Sequence, residues 1–465
     1  MTVDLIVRGG RVVTDGHRIE ADVVIDEGRV TGLIRDTSLI AADRVVDARG
    51  KFVLPGLIDP HTHWGVFNLP DLDAFAAQCA TESASSLAGG VTTVMHCAMD
   101  KGSYVAHLAQ KQERVEARAG VDVVFYPALT NLAQVAEVPA LVDRGVTSFK
   151  MFLNGDAFYG IGESDFYAGL REVLRSGGMP MVHCEWTPPA LDLLARELAT
   201  AGRTDLKAWA DARPNVLELT AMERVFRLAE SLDGPVYIVH VSTREGPTLG
   251  AAARERGVQA YLETRPHYLA LDYTMPSIAA LGKVKPPIRG PGDREALWTG
   301  LLSGQIDTVG TDHCTLLLRD AKVGKGDIWS QQNGFTGTET MLPILLSEGV
   351  RKRGMTLERL VEVTSANAAR IHRIPGKGSL RPGADADVTI VDLERPATLS
   401  AETLHSACDF TLYEGWKVTG MPVVTVRGGE VVLEDGAVSR GPAGRVLRTA
   451  RRAPSPSAGR PVPFR

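Results

Sequence analysis

Short β-branched runs broken by glycine pairs occupy both ends of the chain, and a different rhythm fills the middle. Near the start stands "IVRGGRVV" (Ile6–Val13), followed by Thr14-Asp15-Gly16. Near the end stands "TVRGGEVV" (Thr425–Val432), followed by Leu433-Glu434-Asp435-Gly436. Each reads as two strands folded about a Gly-Gly turn, a hairpin signal. Further strands are predicted at Asp22–Ile25, Val30–Ile34, Arg44–Asp47 and Asp387–Asp392. The likeness of the two ends predicts one small β-sandwich assembled from residues 1–56 and 376–440. The rest of the chain is then an insertion between its halves.

From about Leu57 to Pro375, strand-length apolar runs alternate with amphipathic helical stretches, the pattern of repeated βα units. Eight runs end near His61, His96, Thr130, Lys150, His183, His240, Glu263 and Asp312. Eight such units make a (β/α)8 TIM barrel, so the fold class is α/β, with the catalytic barrel over residues 57–375. Helices are expected at Asp71–Ala88 and Glu163–Arg175, and Thr356 is placed to cap one over Leu357–His372. The Pro-, Ser- and Arg-rich tail, residues 441–465, has little apolar surface to bury. It is expected to be disordered or loosely docked, with a subunit-exchanging arm as the alternative.

Composition narrows the function classes. Of 465 residues, 44% are hydrophobic and 23% charged, the balance of a globular protein with a sizeable core. The net charge of −5, with no long basic run before the tail, disfavours nucleic acid as a partner. The apolar stretches are strand-length, so no membrane partner is expected, and the N-terminus does not read as a signal peptide. Five scattered cysteines, an odd number with no C-x-x-C pair, argue against a disulfide framework and for a reducing cytoplasm.

In a barrel of this kind the C-terminal strand ends carry the chemistry. His61 and His63 stand one residue apart in "GLIDPHTHWG", and in extended chain such residues point the same way. His183, His240 and Asp312 end three further runs. Singly, each has a bland explanation: a core histidine bound to a carbonyl, an aspartate capping a helix. Jointly they form a nitrogen–oxygen ligand set suited to Zn2+ or a similar divalent ion, without the thiolates of a structural zinc site. Five ligands exceed one catalytic zinc, so two metals about 3.5–4 Å apart are the simpler arrangement. Such a pair needs a bridging anion.

Lys150 ends the apolar run "TSFKMFL", where a lysine has no ordinary place. Burial lowers the pKa of an ammonium. A neutral amine there is able to take up CO2 as a carbamate, which would supply the bridge.

The chain resembles the amidohydrolase superfamily, in its cyclic-amide branch of hydantoinases, dihydropyrimidinases, allantoinases and dihydroorotases. The resemblance covers almost the whole chain and rests on "PGLIDPHTHW", "TSFKMF", "VHCE", "IVHVST", "KVKPPIR", "GTDHC", "NGFTGTE" and "ANAARIHRIPGKGSLRPGADADVTIVD". It implies one metal on His61, His63 and Asp312, and another on His183 and His240. Lys150, as N6-carboxylysine, would bridge them. It further implies a metal-bridging hydroxide attacking a ring amide carbonyl, with Asp312 as base and then acid. The implied partner is a small cyclic amide, and the implied assembly a homotetramer or homodimer.

The ring is less defined. Gly65 replaces the arginine of dihydroorotases, and Gly155 the oxyanion-holding tyrosine of hydantoinases. Tyr159 either substitutes from a displaced loop or packs. Lys285 stands where hydantoinases carry serine; it either contacts an anionic substrate or points to solvent. Asn333 resembles the family's backbone contact to the ring. Trp64 and Phe67 either wall the pocket or pack, and His96 is either a satisfied core histidine or a substrate contact. Arg265 and His267, in "ETRPHYL", replace residues of the motif "E-x-C-P-Q-Y" and are further candidates to face the substrate. The expected function is opening of a hydantoin- or dihydropyrimidine-like ring. The alternatives are allantoinase or another lactam hydrolase, a linear N-acyl amidohydrolase, and a non-catalytic dihydropyrimidinase-like scaffold protein.

Overall fold

Seven strands fill the N-terminal segment: β1 (Thr2–Arg8), β2 (Arg11–Thr14), β3 (His17–Glu20), β4 (Asp22–Asp26), β5 (Arg29–Ile34), β6 (Ala41–Asp47) and β7 (Phe52–Pro55). The middle contributes β8 (Leu57–His63), β9 (Val91–Ala98), β10 (Asp122–Pro127), β11 (Ser148–Leu153), β12 (Met179–Cys184), β13 (Val236–Ile238), β14 (Ala260–Thr264), β15 (Thr308–Val309) and β16 (His313–Cys314). Four more follow: β17 (Val388–Thr398), β18 (Lys417–Arg427), β19 (Glu430–Glu434) and β20 (Ala437–Val438). The computed structural model describes residues 2–65, 71–154, 159–186, 189–275, 277–318, 327–439, 441, 443–455 and 457–458.

The middle strands form the barrel. They run parallel in two arcs, β10-β9-β8-β16 and β11-β12-β13-β14-β15. A bridge between Ala128 and Lys150 joins the arcs at one seam. At the other, the link Gly310–Asp312 carries β15 into β16, which pairs with β8. Every position of β9 and β10 is buried, as expected of parallel strands enclosed between a filled interior and a helical layer. Helix Leu72–Ala88 starts where the Asp71 carboxylate accepts from the N–H groups of Asp73 and Ala74. Helix Glu163–Arg175 spans the predicted residues. The stretch from Leu357 to His372 is helical throughout, with a wider π-type turn over Glu362–Ala366, and Thr356 caps it through Arg359 N at 3.0 Å. Among the described residues no helix is long and apolar enough to cross a membrane.

The two ends build the sandwich. One sheet has the order β5-β4-β1-β6, the other β20-β19-β18-β17-β7-β2-β3. Leu5, Val23 and Ile25 of the first meet Val12, Val53, Val388 and Ile390 of the second. Neighbouring positions of the larger sheet (Val13, Phe52, Leu54 and Val391) turn the other way and join the barrel core. The period-2 alternation therefore serves two cores at once. The junction also holds buried ion pairs. Lys377 lies 2.6 Å from Asp122, 2.6 Å from Asp387 and 3.0 Å from Asp385, and Asp122 also takes Arg427 at 3.0 Å and Arg445 at 2.6 Å.

Two expectations are corrected. Only the second Gly-Gly pair makes a hairpin, between β18 and β19. Gly9-Gly10 is a corner at which the chain changes sheets: β1 pairs with β4 and β6, whereas β2 pairs with β3 and β7. A Cβ on Gly10 would stand 2.5 Å from Val53 Cγ2 and 2.9 Å from Ala48 Cβ, so the close approach of the sheets demands glycine. Two-residue hairpin turns stand at Asp15-Gly16, Glu27-Gly28, Gly428-Gly429 and Asp435-Gly436, all at positive φ.

The tail, expected to be loose, is docked over its described part. The N–H groups of Leu447, Thr449, Arg452 and Ser455 donate to the carbonyls of Val123, Gly145, Gly177 and Leu174 at 2.7–3.1 Å. Three of these carbonyls lie at or just before the starts of β10, β11 and β12, away from the strand tips. Backbone hydrogen bonds hold the segment, and apolar composition does not report them.

Candidate active site

His61 and His63 end β8, and their Nε2 atoms face each other at 3.2 Å, while Thr62 between them turns away to Met95 O. Asp312, on the link after β15, sets Oδ1 2.7 Å from His63 Nε2 and 3.2 Å from His61 Nε2. These three side chains converge closely enough to hold one metal ion. His183 on β12 and His240 after β13 turn Nδ1 and Nε2 to within 2.9 Å of each other. The His61 and His240 rings stack with centroids 5.4 Å apart, so the two groups adjoin. Lys150, fully buried on β11, places Nζ 3.1 Å from His61 Nε2. All six predicted ligand residues thus meet at the strand tips.

Burial sets their charge states. It holds His61, His63 and His240 well below the usual imidazole range and lowers His183 to about 4. Neutral imidazoles keep the lone pairs that a metal needs. Burial lowers Lys150 from 10.5 to about 8. This buried set of imidazole nitrogens and a carboxylate oxygen fits a divalent ion such as zinc.

A supporting layer was not singled out from the sequence. Glu263, at the tip of β14, accepts from His61 Nδ1 at 2.8 Å, His240 N at 3.0 Å and the Tyr237 hydroxyl at 2.8 Å. A proton held on Nδ1 leaves His61 Nε2 free to face the site. Burial pushes the Glu263 carboxyl up to about 7. Asp59 accepts from His61 N at 3.2 Å, and from Thr311 N at 3.0 Å and Oγ1 at 2.5 Å, tying β8 to the link that carries Asp312. Arg265 pairs with Asp312 Oδ2, so that Oδ1 is the oxygen turned to the imidazoles. The one available signal was position: Glu263 also ends an apolar run.

His240 and Asp312 have φ of 43° and 52°, left-handed values that non-glycine residues rarely adopt. Such strain concentrates at functional sites.

A cavity of about 350 Å³ opens over these groups, and Tyr159, Lys285 and Asn333 stand on its wall. Asn333 Oδ1 is buried without a hydrogen bond there. Trp64 and His96 do not line it. Trp64 N donates to His96 Nδ1 at 3.3 Å, and the His96 ring packs against Trp64, Phe75 and Phe125 with centroids 5.3–5.7 Å apart. Their placement is that of packing residues. Arg265 and His267 are fully buried and also stand off the wall; His267 Nε2 bonds Thr336 O at 3.0 Å. As candidates to face the substrate these two are set aside: the barrel core absorbs them. Phe67 and Gly155 lie outside the described residues.

A (β/α)8 barrel with such donors at its strand tips defines a metal-dependent hydrolase. Models of the Amidohydrolase family match residues 44–148 and 268–432. The chain is 36% identical to an allantoinase from Rubrobacter xylanophilus, over 96% of this chain and 98% of that one. It is 31% identical to an L-hydantoinase from Paenarthrobacter aurescens, over 94% and 95%. The crystal structure of a dihydropyrimidinase from Brevibacillus agri superposes with a TM-score of 0.89 at 30% identity, over 96% and 99%. The protein belongs to the amidohydrolase family of binuclear metal-dependent hydrolases, in the branch of hydantoinases, dihydropyrimidinases and allantoinases.

Proposed function

We propose that the protein opens the C–N bond of a cyclic amide in a hydantoin- or dihydropyrimidine-like ring. The carrying observation is the convergence of six ligand-type residues at the strand tips, five of them (His63, Lys150, His183, His240 and Asp312) lining one cavity. His61, His63 and Asp312 would hold one divalent ion and His183 and His240 the other, zinc being the ion this donor set suits. Lys150 would bridge them as a carbamate: its neutral Nζ adds to CO2, an N–C bond forms, and a proton leaves to solvent. When bound, two such ions supply an acidified water and polarise the amide carbonyl.

The chain's own residues do the rest. Asp312 Oδ1, facing the site while Arg265 holds Oδ2, takes the proton of the attacking water and returns it to the leaving nitrogen. Glu263 keeps the His61 tautomer that faces inward. Tyr159 and Asn333, on the cavity wall, would contact the ring. A non-catalytic scaffold role is disfavoured, because none of the six positions is substituted. Allantoin is kept as a second substrate because of the 36% identity to an allantoinase. The same reading includes a cytoplasmic homo-oligomer, dimer or tetramer, with a small molecule as partner; sedimentation checks the assembly.

The test is metal analysis of protein purified without chelator, followed by assays on hydantoins, dihydropyrimidines, allantoin and small lactams. About two ions per subunit and opening of at least one ring are expected. Metal-free active protein, or cleavage of linear N-acyl amides alone, overturns the proposal.

A further inference from the structure

Arg265 does more to the ligand set than turn Asp312. It stands directly after β14, and its side chain is fully buried. Nη2 pairs with Asp312 Oδ2 and reaches the main-chain carbonyl of Asp312 at 3.4 Å. Nη1 donates to the Tyr268 hydroxyl at 3.3 Å, which itself donates to Pro286 O at 2.6 Å, and Nε finds no acceptor. The rings of Tyr268 and Phe335 close around the guanidinium, with centroids 5.4 and 5.6 Å away. Other acids nearby are committed. Glu263 accepts from His61, His240 and Tyr237, and Glu218, beside Tyr268, is held by Arg289 at 3.2 Å. A buried cation needs an anion close by, and for Arg265 that anion is Asp312.

Its charge reaches the whole cluster. The guanidinium works against a positive charge on His61, His63, His240 and Lys150 alike. These are groups that would hold the ions, and a field that resists a proton there also resists a divalent cation. Asp312 is the one carboxylate among the six ligand-type residues, and one of its two oxygens is already matched by a cation. A partner such as Glu263, which accepts a proton from His61, adds to the donor strength of a ligand. A cation paired with a ligand takes donor strength away. Arg265 stands where the motif "E-x-C-P-Q-Y" carries cysteine, so the opposing charge comes from this chain's own sequence.

We propose that Arg265 is a resident counter-ion of Asp312 that competes with metal for its carboxylate, so that the ion on His61, His63 and Asp312 is held more loosely than those ligands alone would hold it. Resting on the metal-hydrolase reading, this adds how the site fills and empties. Arg265 keeps the carboxylate matched and in place before an ion arrives, and the arriving ion must take over the charge that the guanidinium holds. A group that only oriented Asp312 would act in the opposite sense, because its removal would loosen the metal by about 10–100-fold. The direction of the change on removal separates the two roles.

The test is the zinc affinity of Arg265→Gln against the wild type, by chelator competition on apoprotein with the two ions followed as separate steps. Removing the charge should tighten one step by about 10- to 100-fold, the scale of a single partner one layer out from a metal, and leave the other near its wild-type value. Arg265→Lys keeps the charge and should stay close to the wild type. Thermal midpoints give a second reading. Metal-free Arg265→Gln should melt below the metal-free wild type, since Asp312 has lost its cation, and zinc should raise its midpoint by more. If the metal-free glutamine variant does not fold, recovery of the fold on adding zinc sustains the inference, and no recovery in it or in Arg265→Met overturns it. Unchanged or weaker zinc binding in folded Arg265→Gln also overturns it, and the metal-hydrolase reading still stands if two ions bind. If the wild type binds no zinc, that reading falls; binding that then appears in Arg265→Gln sustains the counter-ion role, and none in either protein sinks both.

Discussion

Lys150→Ala removes the amine that would carry the bridging carbamate. Bound metal should fall below two ions per subunit and ring opening by more than about 100-fold, since even a partner one layer out from a metal is worth 10–100-fold. Added acetate or propionate should restore part of both, and an alanine variant that keeps two ions would reject the bridge. Only the neutral amine reacts with CO2, and burial places its pKa at about 8. Reloading of apoprotein with zinc at fixed dissolved CO2 should therefore speed up from pH 7 to 9, as the neutral fraction rises; a flat profile contradicts the proposed route. Glu263→Gln should weaken zinc about 10–100-fold in chelator competition. The six ligand-type residues were legible because each closes an apolar run. Their partners were not, because Glu263 meets His61 across 202 positions and Asp59 meets Thr311 across 252. No local pattern encodes such contacts.

At the scale of elements, glycine pairs were read too uniformly. "RGG" is the same triplet at both ends, yet one copy turns a hairpin and the other crosses between sheets. The difference lies in what packs against it: Val53 and Ala48 press on Gly10. Gly10→Ala should destabilise the protein by about 1–3 kcal/mol through overpacking, measured as a shifted urea midpoint. An unshifted midpoint would show that the corner relaxes. Helices, in contrast, were legible from caps and amphipathic spacing, because Asp71 and Thr356 act on N–H groups two or three residues away.

For the whole molecule, the barrel and the two-ended sandwich were legible from the count and placement of runs. The junction was not, since Lys377 and its aspartates sit in unrelated stretches of sequence. Lys377→Met should cost about 3–5 kcal/mol, because it leaves buried carboxylates uncompensated. Denaturant unfolding measures this, and a loss under about 1 kcal/mol would show that water or Arg445 takes over the charge. The docked tail escaped prediction for the reason given by its contacts: main-chain bonds carry it.

The larger sheet joins β7 directly to β17, two strands separated by about 330 residues of barrel. On a ribosome adding about 5–20 residues per second, β7 waits roughly 20–60 seconds for that partner to be synthesised. Meanwhile its edge is unpaired, with Val53 and Leu54 uncovered, the kind of edge that recruits other chains. The biosynthetic hazard of this protein therefore lies at its N-terminal strands, and a trigger-factor-type chaperone holding the chain through Pro55 should raise soluble yield more than one that acts after release.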